Sequence, residues 1–291
     1  MVLVREVWAE NMDKEFAMIR STLVKYPYVS MDTEFPGVIF SPNVEKHMYS
    51  HLNPLDQYSW MKRNVDCLKL IQVGLTLCDS QGNLPDFGTN ICYVWEFNFR
   101  GFDVDRHRYN LESIELLKRQ GIDFAKNGKK GISFLHFSKL FLESGLVFNP
   151  SVTWVTFHGT YDFGFMIKTL TRERLPGDLY QFMELVKSYF GVTVYDMKHI
   201  MEHFGLYGGL EKVAKALEVD RVVGKSHQAG SDSLLAMQTF MKLTDIYFSG
   251  ESRDILNVFN CRLYGLELGP KGNGLMIGTS DMMSPIVYYI A

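Results

Sequence analysis

Five side chains in this 291-residue chain are of types and spacings that could do chemistry together: Asp32, Glu34, Asp162, His227 and Asp232. In VSMDTEFP, residues 29–36, strand alternation sends Val29, Met31, Thr33 and Phe35 to one face and Ser30, Asp32 and Glu34 to the other. Two carboxylates then project the same way, although a half-buried strand with a wet polar face accounts for them as well. In TFHGTYDFGFMIKTL, Asp162 falls just after a strand and in the first turn of the next helix. Open α/β sheets bind ligands at that edge, and an acid there also has the plain job of complementing a helix dipole or capping free N–H groups. In KSHQAGSDSLL, His227 and Asp232 stand five residues apart, and at about 100° per residue one continuous helix would turn them away from each other. Gly230 and Ser231 resolve the spacing. His227 is expected in a loop, Ser231 as the cap, and Asp232 in the first turn of an apolar helix, with the loop folding His227 back toward Asp232. A lone histidine before a helix is also an ordinary surface residue.

Taken together the five point to one pocket. Four acids converging there would repel one another and be forced to protonate unless cations neutralised them. Two divalent ions, Mg²⁺ or Mn²⁺, suit such carboxylate oxygens, and a pair roughly 3.5 to 4 Å apart clamps the attacking and leaving oxygens of a phosphodiester. His227 then serves as general base toward the attacking water.

The elements that must position these residues are read from periodicity. Trp8, Met12, Phe16, Ile19 and Leu23 predict a helix over 8–25 that leads into the 29–35 strand. Strands follow at 68–78 and 92–99, with turn chemistry around Gly82. Helices are expected near 110–119 and 136–144, then a strand at 152–158, helices at 161–171 and 178–189, the apolar run GVTVYD, and two or three helices over 196–249. Three early strands in an antiparallel meander, followed by strands alternating with helices, predict an α/β protein: a mixed central sheet with helices on both faces, of the RNase-H-like kind. One domain is expected over 1–269. Residues 270–291, rich in breakers but apolar at the end, are expected as a tail laid on the surface or partly disordered.

Composition bounds the rest. A 46% hydrophobic content supports a sizeable core, and a net charge of −3 gives no whole-surface attraction to nucleic acid, so a polyanion must be held locally. The four cysteines, Cys67, Cys78, Cys92 and Cys261, form no C-x-x-C pair, and no apolar run is long enough for a membrane span. No signal peptide is evident, so the cytoplasm and nucleus are the expected compartments. The basic clusters KNGKK at 126–130 and Arg172, Arg174, Arg221 and Lys225 are read as solvated loops.

The stretches VSMDTEFPGV, NVDCLKLIQVGLTLCDSQGNLP, FNFRGF, TFHGTYDFGFMIKTLT, GGLEKVAKALEVDRV and SHQAGSDSLL resemble the histidine-bearing branch of the DEDD exonuclease superfamily, and more narrowly the CAF/POP-type poly(A)-specific ribonucleases of the CCR/NOT complex. The resemblance covers about residues 6 to 267. It implies that Asp32, Glu34, Asp162 and Asp232 hold two divalent metal ions and that His227 is the general base. Asp32 would bridge both ions, Glu34 and Asp232 would complete one site, and Asp162 would serve the other. The implied reaction is 3′→5′ shortening of the poly(A) tail of single-stranded RNA with release of AMP. The implied partners are a NOT-type scaffold subunit and a CCR-type nuclease, and no membrane. Asp196 in VYDMKHI is read as a helix N-cap outside the metal set, and His158 as a strand-end residue. The family commonly has a Ser-Gly pair where Gly159 and Thr160 stand, so Thr160 sets a β-carbon where a backbone bend is expected. Ser41–Trp60 is longer than the resemblance leads one to expect. Two rivals stay open: a catalytically weak docking subunit of the same complex, and a DEDD exonuclease acting on other oligonucleotides.

Overall fold

The computed structural model describes residues 1–42 and 52–267; the expected 270–291 tail and residues 43–51 of the Ser41–Trp60 segment lie outside them. Its strands are β1 (Val2–Val7), β2 (Tyr28–Glu34), β3 (Gln72–Cys78), β4 (Cys92–Asn98), β5 (Thr153–Thr156) and β6 (Val194–Asp196). They form one sheet in the order β1-β4-β3-β2-β5-β6. β2, β3 and β4 are the antiparallel meander, while β1 on β4, β5 on β2 and β6 on β5 are parallel. The helices are α1 (Met12–Thr22), α2 (Pro54–Cys67), α3 (Leu111–Gln120), α4 (Phe124–Lys130), α5 (Phe134–Glu143), α6 (Thr160–Thr171), α7 (Leu179–Phe190), α8 (Met197–Glu202), α9 (Leu210–Ala216) and α10 (Ala229–Tyr247). A 3₁₀ helix, Gly250–Phe259, follows. This is the RNase-H-like mixed sheet.

The alternation in β2 decides which core each side chain joins. Val29 and Met31 enter the larger core with Phe16, Phe97, Phe137, Trp154 and Phe163, the side of α1, α2, α5, α6 and α7. On the opposite face lies the second core, built from Val155, Tyr195, Met237 and Phe240 beneath α10. Ser30 donates its hydroxyl to the Ser233 carbonyl of α10 at 2.6 Å. Gly74, the β3 partner of Asp32, is where α10 comes closest: a Cβ there would lie 1.8 Å from the Ala229 carbonyl oxygen. Only glycine allows that approach. The Asp32 and Glu34 face is therefore the α10 face.

Three elements differ from the sequence expectation. Residues 2–7, to which the periodicity assigns no element, form β1, and α1 begins at Met12 rather than residue 8. β1 is an edge strand, so Arg5 tolerates a half-open position and is tied by its guanidinium to Glu15 of α1 at 2.6 Å and 2.7 Å. The segment 54–67 is the helix α2, with Asn53 accepting the Asp56 N–H as its cap. KNGKK belongs to α4 rather than a loop, since Asp123 caps that helix and Lys126 pairs with Glu6 at 2.8 Å. No helix among the described residues is long and apolar enough to cross a membrane.

Candidate active site

β2 ends at Glu34, and because β5 and β6 run parallel to it their C-terminal ends open on the same edge of the sheet. Beyond β5, His158 adopts φ +64°, a left-handed conformation uncommon outside glycine, and turns the chain into α6. Gly159 must lack a side chain because a Cβ would sit 2.1 Å from Thr156 Oγ1. Thr160 then opens α6 as a regular helical residue and donates its hydroxyl to the Tyr264 carbonyl at 2.9 Å. The bend expected at Thr160 is thus made two residues earlier, at His158, and the extra β-carbon is accommodated. Asp162 follows, 6% exposed, and its Oδ1 accepts the Thr33 hydroxyl at 2.5 Å.

The last element is α10. It starts at Ala229 rather than after Ser231, and Gln228 occupies the cap position without a capping bond from its side chain to the helix. Its first N–H groups are met from the sheet instead: Gln72 Oε1 accepts from Ala229 at 3.4 Å and Glu96 Oε2 from Gly230 at 3.1 Å. Ser231 caps nothing; its hydroxyl donates to the Val223 carbonyl. Asp232 lies in the first turn, as expected, and His227 in the preceding loop at φ +60°. The His227 backbone N–H donates to Asp232 Oδ2 at 2.8 Å, which fixes the loop against the carboxylate while the His227 ring stays exposed. Arg221 Nη2 donates to Asp232 Oδ1 at 2.5 Å.

Among the described residues, Glu34, His227 and Asp232 form a group whose ligand atoms all lie within 4.8 Å of one another. Asp32 and Asp162 are outside that tight trio but inside its field. Desolvation, reinforced by Asp232, Asp162 and Glu34, pushes Asp32 well above the usual carboxylate range. Desolvation and the charges of Asp232 and Asp162 push Glu34 up as well. Asp162 is raised to about 7, chiefly by burial, against the opposing hydrogen bond from Thr33. Burial also raises Asp232, with Arg221 pulling the other way. Among the described residues the one guanidinium paired with any of these four carboxylates is Arg221, on Asp232, so the donor set suits hard divalent cations with oxygen preference.

Asp196 is the N-cap of α8 and His158 a strand-end residue whose ring meets Tyr264 edge-on. Sequence reasoning passed over Thr33, Gln72, Glu96 and Arg221. Thr33 sits on the far face of β2, and Gln72 and Glu96 read as interior strand residues. For Arg221 a signal existed: an acid cluster needs cations, and this is the arginine nearest Asp232 before it in sequence.

The pattern described as CAF1 family ribonuclease matches residues 7–141. The chain is 48% identical over 266 residues to a probable CCR4-associated factor 1 homolog of Arabidopsis thaliana, covering 91% of this chain and 92% of that one. It is 41% identical to the poly(A) ribonuclease pop2 of Schizosaccharomyces pombe, over 90% of this chain and 75% of the relative. Among solved structures it is similar to S. pombe Pop2p in its Mg²⁺- and Mn²⁺-bound form, with TM-score 0.80, 40% identity and coverage of 90% and 99% of the two chains. It also resembles yeast CAF1 crystallised with the NOT1 MIF4G domain, with TM-score 0.72, 33% identity and coverage of 90% and 96%. The chain belongs to the CAF1 family of ribonucleases.

Proposed function

We propose that this ribonuclease is a metal-dependent 3′→5′ exonuclease that shortens the poly(A) tail of single-stranded RNA, releasing AMP. We place it as a catalytic subunit of a CCR/NOT-type assembly in cytoplasm and nucleus. The observation that carries the reading is the set of acids at one sheet edge, Asp32, Glu34, Asp162 and Asp232, all raised by desolvation, with repulsion from the other acids adding at Asp32 and Glu34, beside His227. The poly(A) substrate and the NOT-type scaffold are supported by what the relatives are named for and crystallised with, and the CCR-type nuclease by the sequence resemblance.

Asp32, Glu34, Asp162 and Asp232 would hold two divalent ions, Mg²⁺ or Mn²⁺. When bound, those ions neutralise the phosphodiester and lower the pKa of the attacking water. The chain itself does three things. Thr33 anchors Oδ1 of Asp162 through its hydroxyl. The His227 N–H bond to Asp232 holds the imidazole at the mouth of the carboxylate group, where it takes the proton from the attacking water. The close approach of α10 to Gly74 keeps Asp232 over the Asp32 face.

The test is 5′-labelled RNA ending in about twenty adenosines, incubated with Mg²⁺ or Mn²⁺ beside EDTA and Asp32→Ala controls and a matched DNA strand. A ladder shortening from the 3′ end that stops at non-adenosine sequence, absent in both controls, is expected. Asp32→Ala should lose more than the roughly 100-fold that marks loss of an outer-shell partner. No shortening by folded protein under either metal would move the reading to a docking subunit, and equal cleavage of DNA to an exonuclease of other oligonucleotides.

A further inference from the structure

Arg221 lies in the loop between α9 and α10, and its side chain is 14% exposed. A guanidinium has five N–H donors in a fixed fork. Here all five are engaged. Nε and Nη2 reach Glu211 Oε1 of α9 at 2.8 Å and 2.5 Å, and Nη2 also reaches Asp232 Oδ1 at 2.5 Å. Nη1 donates to the Ser231 hydroxyl and, at 3.3 Å, to the Lys225 carbonyl. With no donor left over, this arginine is not arranged to grip a substrate phosphate. It ties α9, the 221–227 loop and the start of α10 to one carboxylate.

That carboxylate is held from both sides by the same loop, with Arg221 on Oδ1 and the His227 backbone N–H on Oδ2. Each oxygen keeps further lone-pair capacity, since an ionised carboxylate offers about four acceptor sites. We propose that Arg221 is a positioning residue that sets the orientation of Asp232 for metal binding and, through the shared loop, the place of His227. This rests on the reading that Asp232 holds metal.

A bare counter-charge would behave in the opposite sense. If Arg221 did no more than neutralise Asp232, it would compete with the metal, and removing it would tighten metal binding. If it positions Asp232, removing it loosens binding, as for other groups that orient a metal ligand.

The experiment titrates Mn²⁺ into metal-free protein and follows the free-ion electron paramagnetic resonance signal, with melting temperatures in parallel. Wild type is compared with Arg221→Gln, Arg221→Lys, Glu211→Gln and Asp232→Asn. Arg221→Gln should weaken Mn²⁺ binding by roughly 10- to 100-fold. Arg221→Lys should fall between it and wild type, because an ammonium offers three donors and no planar fork. Glu211→Gln, at a site 55% exposed on α9 that reaches Asp232 only through the shared Arg221 Nη2, should weaken binding a few-fold and keep the fold intact even where Arg221→Gln does not. Unchanged or tighter Mn²⁺ binding in Arg221→Lys and Glu211→Gln overturns the proposal. Asp232→Asn separates the two readings: wild-type Mn²⁺ binding in that variant means the metal assignment itself has failed, whatever Arg221 does.

Discussion

Asp196 and Asp162 occupy neighbouring strand-to-helix junctions on the same edge of the sheet, one closing β6 and the other just beyond β5, yet they are built for different ends. Asp196 is fully buried and accepts four backbone N–H groups, from His158 at 2.7 Å and from Gly159, Lys198 and Tyr264 at 3.0 Å each. Four donors fill a carboxylate. Asp162 accepts the Thr33 hydroxyl with weaker help from the Thr33 and Asp162 backbone N–H groups, and the structure gives Asp32 and Glu34 no side-chain hydrogen-bond donor among the described residues. Burial raises both groups of acids, but at Asp196 backbone donors and His158 offset it, whereas around Asp32 further acids add to it. Position in the fold does not separate a structural cap from a metal-seeking acid. The number of donors around it does.

The comparison can be broken most forcefully at the satisfied end. Asp196→Ala orphans four N–H groups, each costing about 1–3 kcal/mol, so a loss of more than about 4 kcal/mol is expected in urea unfolding. The loss should be the same with and without Mn²⁺; a loss that Mn²⁺ repairs would place Asp196 in the metal set.

At the unsatisfied end the sign reverses. A carboxyl raised to about 7 keeps its proton in the folded state while the unfolded chain, near the ordinary value of 3.8, has lost it. Folding then binds protons, and stability falls as pH rises between those two values and levels off above about 7. Asp162→Asn removes that penalty, so in EDTA the variant should be more stable than wild type at pH 8 by up to about 4 kcal/mol. At pH 4 the two should match. Its activity should be lost at both. Equal stabilities at pH 8 would show that Asp162 is satisfied after all.

The smallest change sharpens the same point. Thr33→Val keeps the shape and removes one donor from Asp162. A cost of about 1 kcal/mol to the ionised form is expected, with the pH midpoint of activity moving upward. An unmoved midpoint would mean that the hydroxyl contributes nothing to Asp162.

Much of this was legible in the sequence, and the reasons for the gaps are physical. Period-2 alternation placed Asp32 and Glu34 on one face, and apolar periodicity found the meander, α6 and α10 to within a few residues. β1 was missed because a six-residue edge strand with Arg5 and Glu6 has no closed apolar pattern, and its partner β4 is some ninety residues away. α4 was missed because Asn127, Gly128 and three lysines are weak helix evidence until Asp123 caps them and Glu6 pairs with Lys126. Local cap chemistry points to Ser231 as the start of α10, whereas the helix's first donors are met by Gln72 and Glu96 from other strands. Hydrogen-bond partners that come from distant segments, such as Tyr264 for Asp196 or Gln72 for the start of α10, leave no local trace.

The most direct test of the account is the melting temperature of metal-free protein across pH 5 to 8, with and without Mn²⁺. Without metal the midpoint should fall as pH rises toward about 7, because the raised acids are being forced to ionise beside one another, and Mn²⁺ should abolish that fall. Superimposable profiles with and without Mn²⁺ would contradict it, since the acids would then have found their neutralisation within the protein.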